Sequence, residues 1–285
     1  IQTEVQSKKL SINVGSIFVG EAEDSALYTK RKAEAARRLG IDFFVKHLPA
    51  DISLASLADK IKELNEDPVV DGYIVQLPLP DHLRPRTDEL LNLIDPNKDV
   101  DGLTSFNRDA LLKNEGGAFL PTPVAAVNTL INSIFKADWL SDLSFRSSLA
   151  LKKLPTELVG KRAVIVSDGD VFGPVLDFVL RASGLTSEVV GSGDPDLVSK
   201  CSAADLLVSA VGKPHFLNQD YIKTNAILID VGTTLVNGKT VGDFDYESVI
   251  SKALYITPVP GGVGPVTVAM LFANALYLKK RDKLI

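Results

Sequence analysis

The chain has 285 residues, 45% of them hydrophobic, and a formal net charge of −5. This composition is enough for one large or two ordinary domains with buried cores, and it excludes an intrinsically disordered chain. The mild negative charge argues against nucleic acid or an anionic membrane as the main partner, and the single cysteine, Cys201, excludes an internal disulfide and a cysteine zinc site.

The first half alternates strand-like and helix-like segments, which predicts an α/β fold with largely parallel sheets. Asp24 and Ser25 can cap the first helix, which runs to about Leu39, and Gly40 can end it. The third strand ends at Gln76, because the prolines that follow cannot continue a β ladder. The predicted strands are residues 11–19, 41–48 and 69–76, and the next predicted helices are residues 54–64 and about 82–93.

The second half has the rhythm of a Rossmann-like nucleotide domain. A helix at 124–135 leads into it, and residues 136–156 are poorly periodic, which is typical of an inserted or mobile loop. A last helix at about 266–278 is expected to return to the first half. The predicted strands of this half are 161–167, 187–191, 205–211 and 226–231, with a helix at 173–182.

The sequence does not support a zinc site or a membrane-spanning helix. The three histidines, His47, His82 and His215, are far apart and more typical of surface groups than of zinc ligands. No apolar run approaches the roughly 20 residues of a membrane helix. Because the chain opens at Ile1 without an initiator Met or a signal peptide, we expect a native N-terminal segment to be absent. The expected location is cytoplasmic, with a mitochondrial one as the alternative.

Tyr28 and Lys32 are four residues apart on the first predicted helix, so they share one face. A ring that can stack on a flat ligand is therefore placed beside a movable ammonium. A lysine whose pKa is lowered by a desolvated pocket can both accept and donate a proton. The alternative is a solvated helix face, because Lys30 and Arg31 are close by.

Two polar sites follow the third strand. Gln76 stands where α/β sheets place ligands, and it can bind a catalytic amine without adding charge, although alone it is weak evidence. Asp99 and Asp101 alternate in the loop 98–102. In an extended loop they would point the same way, with one directed toward the nitrogens of a ligand. An ordinary turn with exposed charges is the alternative.

The segment 255–265 holds three prolines and three glycines in eleven residues. It predicts a rigid loop with a bare backbone, followed by a helix with Pro265 at its start. Glycines let a ligand ring approach the chain, and amides at a helix start suit an anion or oxyanion. A purely structural loop rarely needs both residue types this densely, so a functional loop is favoured.

Together these segments resemble the methylenetetrahydrofolate dehydrogenase/methenyltetrahydrofolate cyclohydrolase family, and the resemblance covers nearly the whole chain. The matching segments follow one another in the family's order. They are residues 28–32, 75–80, 98–102, 119–123, 211–214, 229–232, 241–243 and 258–265.

The resemblance implies a two-domain α/β enzyme. A catalytic folate-binding domain would comprise residues 1–123 and 262–285, and a Rossmann-like NAD(P)-binding domain residues 124–261. The implied reactions are oxidation of 5,10-methylenetetrahydrofolate to the 5,10-methenyl form and hydrolysis of the latter to 10-formyltetrahydrofolate. The family also implies a homodimer built through the nucleotide domain, and it uses no metal for chemistry.

The resemblance assigns roles to individual residues. Lys32 resembles the family's catalytic lysine, the acid/base of hydrolysis, and Gln76 matches the residue that tunes it. Tyr28 matches the ring that stacks on the folate, and Asp101 the carboxylate that reads the pterin. The other expected substrate contacts are Pro260, Gly261, Gly262 and Val263. The expected cofactor contacts are Ser167, Asp168, Gly169, Gly173, Ser192, Val211, Gly212, Gly232 and Thr267.

The nucleotide turn departs from the family's pattern of Gly-Arg-Ser, two variable residues and Val-Gly-x-Pro. Asp168 stands at the arginine position and Gly169 at the serine position, while Gly173 is retained. After the next strand, Gly-Ser-Gly at 191–193 replaces the usual His-Ser-Arg. Both basic groups that would meet a 2′-phosphate are thus missing. An acid near the ribose suits a free 2′-hydroxyl, so NAD is favoured over NADP, the family's usual cofactor.

Four alternatives stay open at this point. The turn could be remodelled so that Lys200 or Arg181 binds the phosphate of NADP. The chain could be a cyclohydrolase with weak or lost dinucleotide binding, since the altered turn spares Lys32, Gln76 and Asp101. It could be a two-domain dehydrogenase of a non-folate substrate, such as a shikimate-like enzyme, or a non-catalytic paralogue, which is the least favoured.

Overall fold

The computed structural model describes residues 1–21, 23–113, 115, 118–135, 154–169 and 171–281, with the side chains of 22–28 outside the description. The chain divides into two units. Unit 1 is Ile1–Thr122 together with Val268–Ile285, and unit 2 is Pro123–Thr267. The sequence predicted that the nucleotide domain ends at residue 261. In the structure unit 2 ends at Thr267, so the chain returns to unit 1 inside the last helix.

Unit 1 is built on a parallel sheet with the strand order β2-β1-β3 in the described residues. Ser16 of the central strand lies between Val45 and Ile74 of its neighbours. The elements are α1 (Gln2–Ser7), β1 (Asn13–Val19), α2 (Glu23–Leu39), β2 (Asp42–Leu48), α3 (Leu54–Glu66), β3 (Gly72–Val75), a 3₁₀ turn (Arg84–Arg86), α4 (Thr87–Leu91), α5 (Ser105–Leu112) and the last helix, α10 (Val263–Arg281), from Val268 onward.

The predicted elements of unit 1 are present. Strand β3, predicted over residues 69–76, covers only Gly72–Val75, and two helices also differ in their bounds. Helix α2 begins at Glu23, so Asp24 and Ser25 lie inside it rather than capping it; the nearest helix breaker upstream is Gly20, at φ +86°. The single helix expected at 82–93 is a 3₁₀ turn followed by the short α4, because Pro85 lacks the N–H that a continuous helix would need there.

Helix α5 was not predicted from the sequence. Its N-cap is Thr104, whose hydroxyl oxygen accepts a hydrogen bond from the Asn107 amide at 3.3 Å. Only Asn107 and Leu111 of its eight residues are buried, while Phe106 and Leu112 are exposed. A short helix with so weak an apolar stripe gives little periodic signal.

Helix α10 returns to the first half of the chain, as predicted. From Val268 onward it belongs to unit 1, where most of its apolar side chains are buried. Asn274, fully buried in the middle of the helix, donates hydrogen bonds from Nδ2 to the carbonyl oxygens of Val100 (2.9 Å) and Leu120 (3.4 Å). The helix is thereby fixed to the loop that carries Asp101.

Unit 2 is built on a parallel sheet in the order β10-β7-β6-β4-β5, flanked by a short antiparallel pair, β8-β9, all within the described residues. The expected loop 136–156 lies outside these residues except for its last three. The elements are α6 (Thr122–Phe135), a 3₁₀ turn (Thr156–Leu158), β4 (Arg162–Ser167), α7 (Phe172–Ala182), β5 (Thr186–Val190), α8 (Leu197–Cys201), β6 (Leu206–Ala210), a 3₁₀ turn (Gln219–Tyr221), β7 (Ala226–Asp230), β8 (Thr234–Val236), β9 (Lys239–Val241), α9 (Tyr246–Val249) and β10 (Ala253–Ile256).

The strand order of unit 2 brings three loops to one edge of the sheet. The first strand, β4, lies between β5 and β6, with Ser167 at its end paired to Ala210 at the end of β6. The crossovers after β4 and β5 therefore leave in opposite directions, and a switch point of this kind is where doubly wound sheets bind nucleotides. The loops after Ser167, Val190 and Ala210 carry most of the expected cofactor contacts.

Candidate active site

Lys32 and Gln76 are in direct contact in unit 1. Lys32, on the middle of α2, donates a hydrogen bond from Nζ to Gln76 Oε1 at 2.8 Å. The Gln76 amide in turn donates from Nε2 to the carbonyl oxygen of Leu77 at 2.8 Å. That second bond fixes the orientation of the amide, so its oxygen faces the lysine. Gln76 follows directly on the buried strand β3 and is a rigid, neutral acceptor for the ammonium.

The pKa of Lys32 is lowered from its ordinary value, chiefly because burial removes the ammonium from water, and the charge of Asp101 opposes the shift. Burial likewise raises the pKa of Asp101, against the attraction of Lys32 and a hydrogen bond from Thr122. Both groups are thus displaced toward their neutral forms. The proton of Lys32 is held less firmly than at the surface and a proton on Asp101 more firmly, so both groups move toward the range in which a proton can pass to and from a ligand.

Asp101 is fixed in place by the start of helix α6. The Thr122 hydroxyl donates to Asp101 Oδ1, and the Thr122 amide donates to the Asp101 carbonyl oxygen at 3.0 Å. The Thr122 side chain is buried. The carboxylate keeps its second oxygen, Oδ2, for which the structure gives no hydrogen bond within the described residues.

Asp99 has a different role from Asp101. Its buried carboxylate accepts hydrogen bonds from the amides of Gly102, Leu103 and Thr104 at 2.8–3.2 Å, and from Asn107 Nδ2 at 2.9 Å. The loop is a tight turn, so the prediction that both carboxylates project the same way from an extended segment is wrong. Asp99 holds the turn together, and Asp101 is left beside Lys32.

Tyr28 lies one helical turn before Lys32 on α2, as the spacing requires. Its side chain is among those outside the description. The stacking role expected of its ring therefore stays a prediction.

Three of the residues expected at the cofactor meet in unit 2, together with one that was not expected. Asp168 accepts hydrogen bonds from the amide and the hydroxyl of Ser192, at 2.7 and 2.6 Å, and Gly169 follows it with an exposed backbone. Lys213 Nζ lies 3.4 Å from Asp168 Oδ2 and also donates to the Ser192 hydroxyl oxygen. The two Ser192 bonds, with help from Lys213, hold the pKa of Asp168 below its ordinary value.

The loop after β6 is hydrogen-bonded to Asp243, which is fully buried. Its carboxylate accepts hydrogen bonds from the amides of Val211 (2.9 Å) and Lys213 (2.8 Å) and from the Ser209 hydroxyl (2.7 Å). A Cβ at Gly232 would overlap this carboxylate, which explains a glycine there without any ligand. Val211, Gly212 and Gly232 are thus organised around one buried acid.

A second buried acid, Asp230, adjoins the first. Its carboxylate accepts from the amides of Asp243 (3.1 Å) and Phe244 (3.0 Å). Burial, together with the nearby charge of Asp243, raises the pKa of Asp230 to about 7, although the amide bonds partly offset the effect. Neither acid was singled out from the sequence, although both stand in motifs that carried the resemblance, 229–232 and 241–243.

The described residues fit a dinucleotide at this edge of the sheet. Helix α7 begins at Phe172, and its N-cap residue, Val171, has no side chain that can accept from the first amides, which leaves them for a phosphate. The backbone of Gly169 and of Gly193 is open, with no atom within 4 Å of a Cβ built there. Gly173 sits in the first turn of α7, packed against Ser167 and Val189.

The proline- and glycine-rich loop has a structural reason for part of its composition. The Gly262 amide donates to the Pro258 carbonyl oxygen at 2.8 Å, and a Cβ at Gly262 would lie 2.6 Å from that oxygen. Gly261 has φ +116°. Pro260 and Val263 flank the pair, and the Thr267 hydroxyl donates to the Val263 carbonyl oxygen at 3.1 Å, within the helix. The ligand contacts expected of these residues stay a prediction.

The two side chains considered as substitutes for the missing basic groups have other partners. Lys200 pairs with Asp194 at 2.6 Å. Arg181 pairs with Asp177 at 2.8 Å and also donates to the Ser187 carbonyl oxygen. The cation beside Asp168 is instead Lys213. The described part of the chain contains no cluster of three or more His, Cys, Asp or Glu side chains that could hold a metal, and no helix in it is long and apolar enough to cross a membrane.

Fold and site define a two-domain α/β enzyme with a Rossmann-like nucleotide domain. The tetrahydrofolate dehydrogenase/cyclohydrolase catalytic domain matches residues 1–101, and the NAD(P)-binding domain of the same family matches residues 148–283. A bifunctional protein FolD from Wolbachia sp. subsp. Drosophila simulans (strain wRi) is 38% identical over 262 residues, which is 91% of this chain and 82% of that protein.

Solved structures show the same relationship. A bifunctional FolD from Campylobacter jejuni is 34% identical with a TM-score of 0.79, covering 98% of this chain and 92% of that one. The Trypanosoma brucei FolD, solved with NADP and an inhibitor, is 34% identical with a TM-score of 0.81, covering 98% and 90%. The chain belongs to the tetrahydrofolate dehydrogenase/cyclohydrolase family. The sequence resemblance and the predicted fold class are confirmed, and the non-folate alternative is set aside.

Proposed function

We propose that this chain oxidises 5,10-methylenetetrahydrofolate and hydrolyses the resulting 5,10-methenyl form, with Lys32 as the acid/base of the hydrolysis. The observation that carries the assignment is the partly buried contact between Lys32 and Gln76, in which the amine has a lowered pKa and a fixed position. Unit 1 is then the folate-binding catalytic domain and unit 2 the dinucleotide domain.

The hydrolysis needs one group that can take a proton and return it. As water adds to the methenyl carbon, the neutral amine of Lys32 takes the proton from the water. When the bond between that carbon and N5 breaks, the ammonium returns the proton to N5. The remaining hydroxyl proton of the carbinol is released to solvent as the formyl C=O forms, which balances the positive charge of the methenyl substrate. Gln76 holds the amine in both states without adding charge, and Asp101, beside the lysine, binds the pterin through its free oxygen.

The oxidation needs a dinucleotide, which accepts a hydride when it is bound. Unit 2 would hold its pyrophosphate at the start of α7 and its adenosine ribose beside Asp168 and Ser192. We propose that NAD⁺ is preferred over NADP⁺, because Asp168 accepts hydrogen bonds from ribose hydroxyls but repels a 2′-phosphate. Two unit charges about 4 Å apart interact by roughly 4 kcal/mol at an effective dielectric of 20. Solvent at this open rim reduces the preference to about 1–3 kcal/mol.

An absorbance assay with methylenetetrahydrofolate tests both activities together. NAD⁺ and NADP⁺ are supplied in parallel, and accumulation and loss of the methenyl product are followed over time. We expect reduction of either cofactor to be coupled to folate oxidation, with the larger kcat/KM for NAD⁺. Hydrolysis of added methenyl substrate without any dinucleotide-dependent oxidation would instead establish a cyclohydrolase that has lost its cofactor.

The homodimer implied by the family is part of the same proposal. Sedimentation velocity over a range of protein concentrations tests it, and a single species at the monomer mass of 30.7 kDa would contradict it.

A further inference from the structure

We propose that Lys213 is a specificity-determining residue, which limits the discrimination by Asp168 and supplies the cation for the 2′-phosphate when NADP binds. The inference rests on the proposed dinucleotide function of unit 2. It goes beyond that function because it assigns a role to a lysine on a different loop from the turn that carries Asp168.

The first support is the position of the ammonium. Lys213 Nζ lies 3.4 Å from Asp168 Oδ2 and donates to the hydroxyl oxygen of Ser192. Ser192 is the one polar residue retained from the family's His-Ser-Arg segment, where a 2′-phosphate would be met. The ammonium therefore contacts a side chain in each of the two segments where the resemblance leads us to expect a basic group.

The second support is that the backbone of Lys213 is fixed while its side chain is exposed. The Lys213 amide donates to buried Asp243 at 2.8 Å, and the Lys213 carbon chain carries the ammonium 5.5 Å from the centre of the Phe216 ring. About half of the side chain remains exposed to solvent. An ammonium on a flexible stem can turn from a carboxylate to a phosphate without any change in the backbone.

The two charges have opposite effects on the two cofactors. With NAD⁺, the Asp168 carboxylate accepts from the ribose hydroxyls, and Lys213 helps to hold it in place. With NADP⁺, the 2′-phosphate meets repulsion from Asp168 and attraction from Lys213. The net penalty against NADP⁺ is therefore smaller than Asp168 alone would impose, and removing Lys213 must sharpen the preference for NAD⁺.

Isothermal titration of the full chain with NAD⁺ and NADP⁺ separately tests the proposal. Lys213→Met keeps the carbon chain and the backbone bond to Asp243 but removes the charge. We expect its Kd for NADP⁺ to rise about tenfold, the order expected for one charged hydrogen bond, and its Kd for NAD⁺ to change less than threefold. Lys213→Arg should restore most of the NADP⁺ affinity.

A double-mutant cycle separates direct contact from disturbance of the fold. Asp168→Asn should lower the Kd for NADP⁺ by about tenfold in the wild type. The same substitution in the Lys213→Met variant should lower that Kd by a much smaller factor. Lys200→Met, which removes a lysine of the same sheet edge that is paired with Asp194, is the matched control and should leave the ratio of the two Kd values unchanged.

The outcomes distinguish this inference from the function beneath it. A wild-type chain that binds neither dinucleotide would overturn both. A wild type that prefers NADP⁺ would overturn the proposed NAD preference alone, and a selective loss of NADP⁺ in Lys213→Met would then still support the role of the lysine. An unchanged ratio of the two Kd values in Lys213→Met, or an equal change of that ratio in Lys200→Met, would overturn the proposed role of Lys213.

Discussion

The Lys32 site of unit 1 and the Asp168 site of unit 2 both join a lysine to a carboxylate, yet their surroundings differ. Lys32 and Asp101 are desolvated, and the pKa of each is displaced toward its neutral form. Asp168 and Lys213 are about half exposed, and the pKa of Asp168 is displaced toward its charged form. Burial thus prepares one pair to exchange protons, whereas hydrogen bonds prepare the other to recognise a ligand by charge.

Replacing Lys32 is the strongest test of this difference between the Lys32 site and the Asp168 site. Lys32→Met should lower the cyclohydrolase rate by about 10²–10⁴, the usual contribution of a general acid/base. The rate of methenyl hydrolysis and the thermal midpoint are measured together. Lys30→Met, two residues earlier on the same helix and exposed, is the control and should keep its rate. A folded Lys32→Met protein that retained more than half the rate would remove the lysine from the mechanism.

Asp101 tests whether the buried acid binds substrate as well as facing the lysine. Asp101→Ala should weaken folate binding by about 1.5–3 kcal/mol, the range for hydrogen bonds to charged groups. Because the charge of Asp101 raises the pKa of Lys32, the alkaline rise of the hydrolysis rate should also move to lower pH in this variant. Steady-state rates at several pH values give both quantities. An unchanged folate KM with an unchanged pH profile would make the loop structural only.

Asp230 is the opposite case, because its pKa is displaced although it has no part in the proposed proton transfer. The folded chain keeps its proton up to a pH of about 7, whereas an unfolded aspartate releases it near pH 4. The native state therefore binds more protons in this window, and this stabilisation is lost as the pH rises from about 4 through 7. We expect Asp230→Asn to remove that pH dependence, which amounts to about 2.5 kcal/mol between pH 5 and 8.

Urea denaturation of the wild type and Asp230→Asn at pH 5, 6, 7 and 8 makes the comparison. The free energy of unfolding of the wild type should fall relative to the variant as the pH rises. Curves that stay parallel would show that Asp230 does not change its protonation in this range.

Gln76→Glu is the smallest change and the finest test of the unit 1 site. It places a carboxylate where the amide oxygen now lies, 2.8 Å from Lys32 Nζ. An opposite charge at this distance stabilises the ammonium, so the pKa of Lys32 should rise by about one unit, or about 1.4 kcal/mol. The pH at which hydrolysis reaches half its maximum should rise with it. Gln76→Met, which lacks both the charge and the hydrogen bond, separates the two effects.

The alternation of local strand and helix patterns predicted the parallel sheets and the return of α10, whereas the pairing of Lys32 with Gln76 was implied by the family resemblance. Strand patterns, a helical i, i+4 spacing and a strand that ends before prolines can each be recognised from residues close together in the sequence. The different partners of Asp99 and Asp101 were not predictable in this way. They depend on a turn whose amides all point at one carboxylate, and on Thr122, which is distant in the chain.

Lys213 was missed for a related reason. It stands in a segment that carried the resemblance, but its closeness to Asp168 follows only from the order of β4, β5 and β6 in the sheet. Lys200 and Arg181 were nearer in sequence to the altered turn and were considered instead, although each already has an acidic partner. Distance along the chain was a poor guide where a switch point brings separate loops together.

The division of α10 between the units has a consequence for synthesis on the ribosome. Unit 2 is one continuous stretch, Pro123–Thr267, and it is complete before the last residues of the chain are made. Unit 1 begins first but lacks the helix segment from Val268 onward, which supplies Asn274 and much of its buried apolar surface. Unit 1, which is translated first, therefore cannot complete its buried surface until after the last residue of unit 2 has been translated. Until that segment is translated, the part of unit 1 that packs against Phe272 and Asn274 lacks its partner.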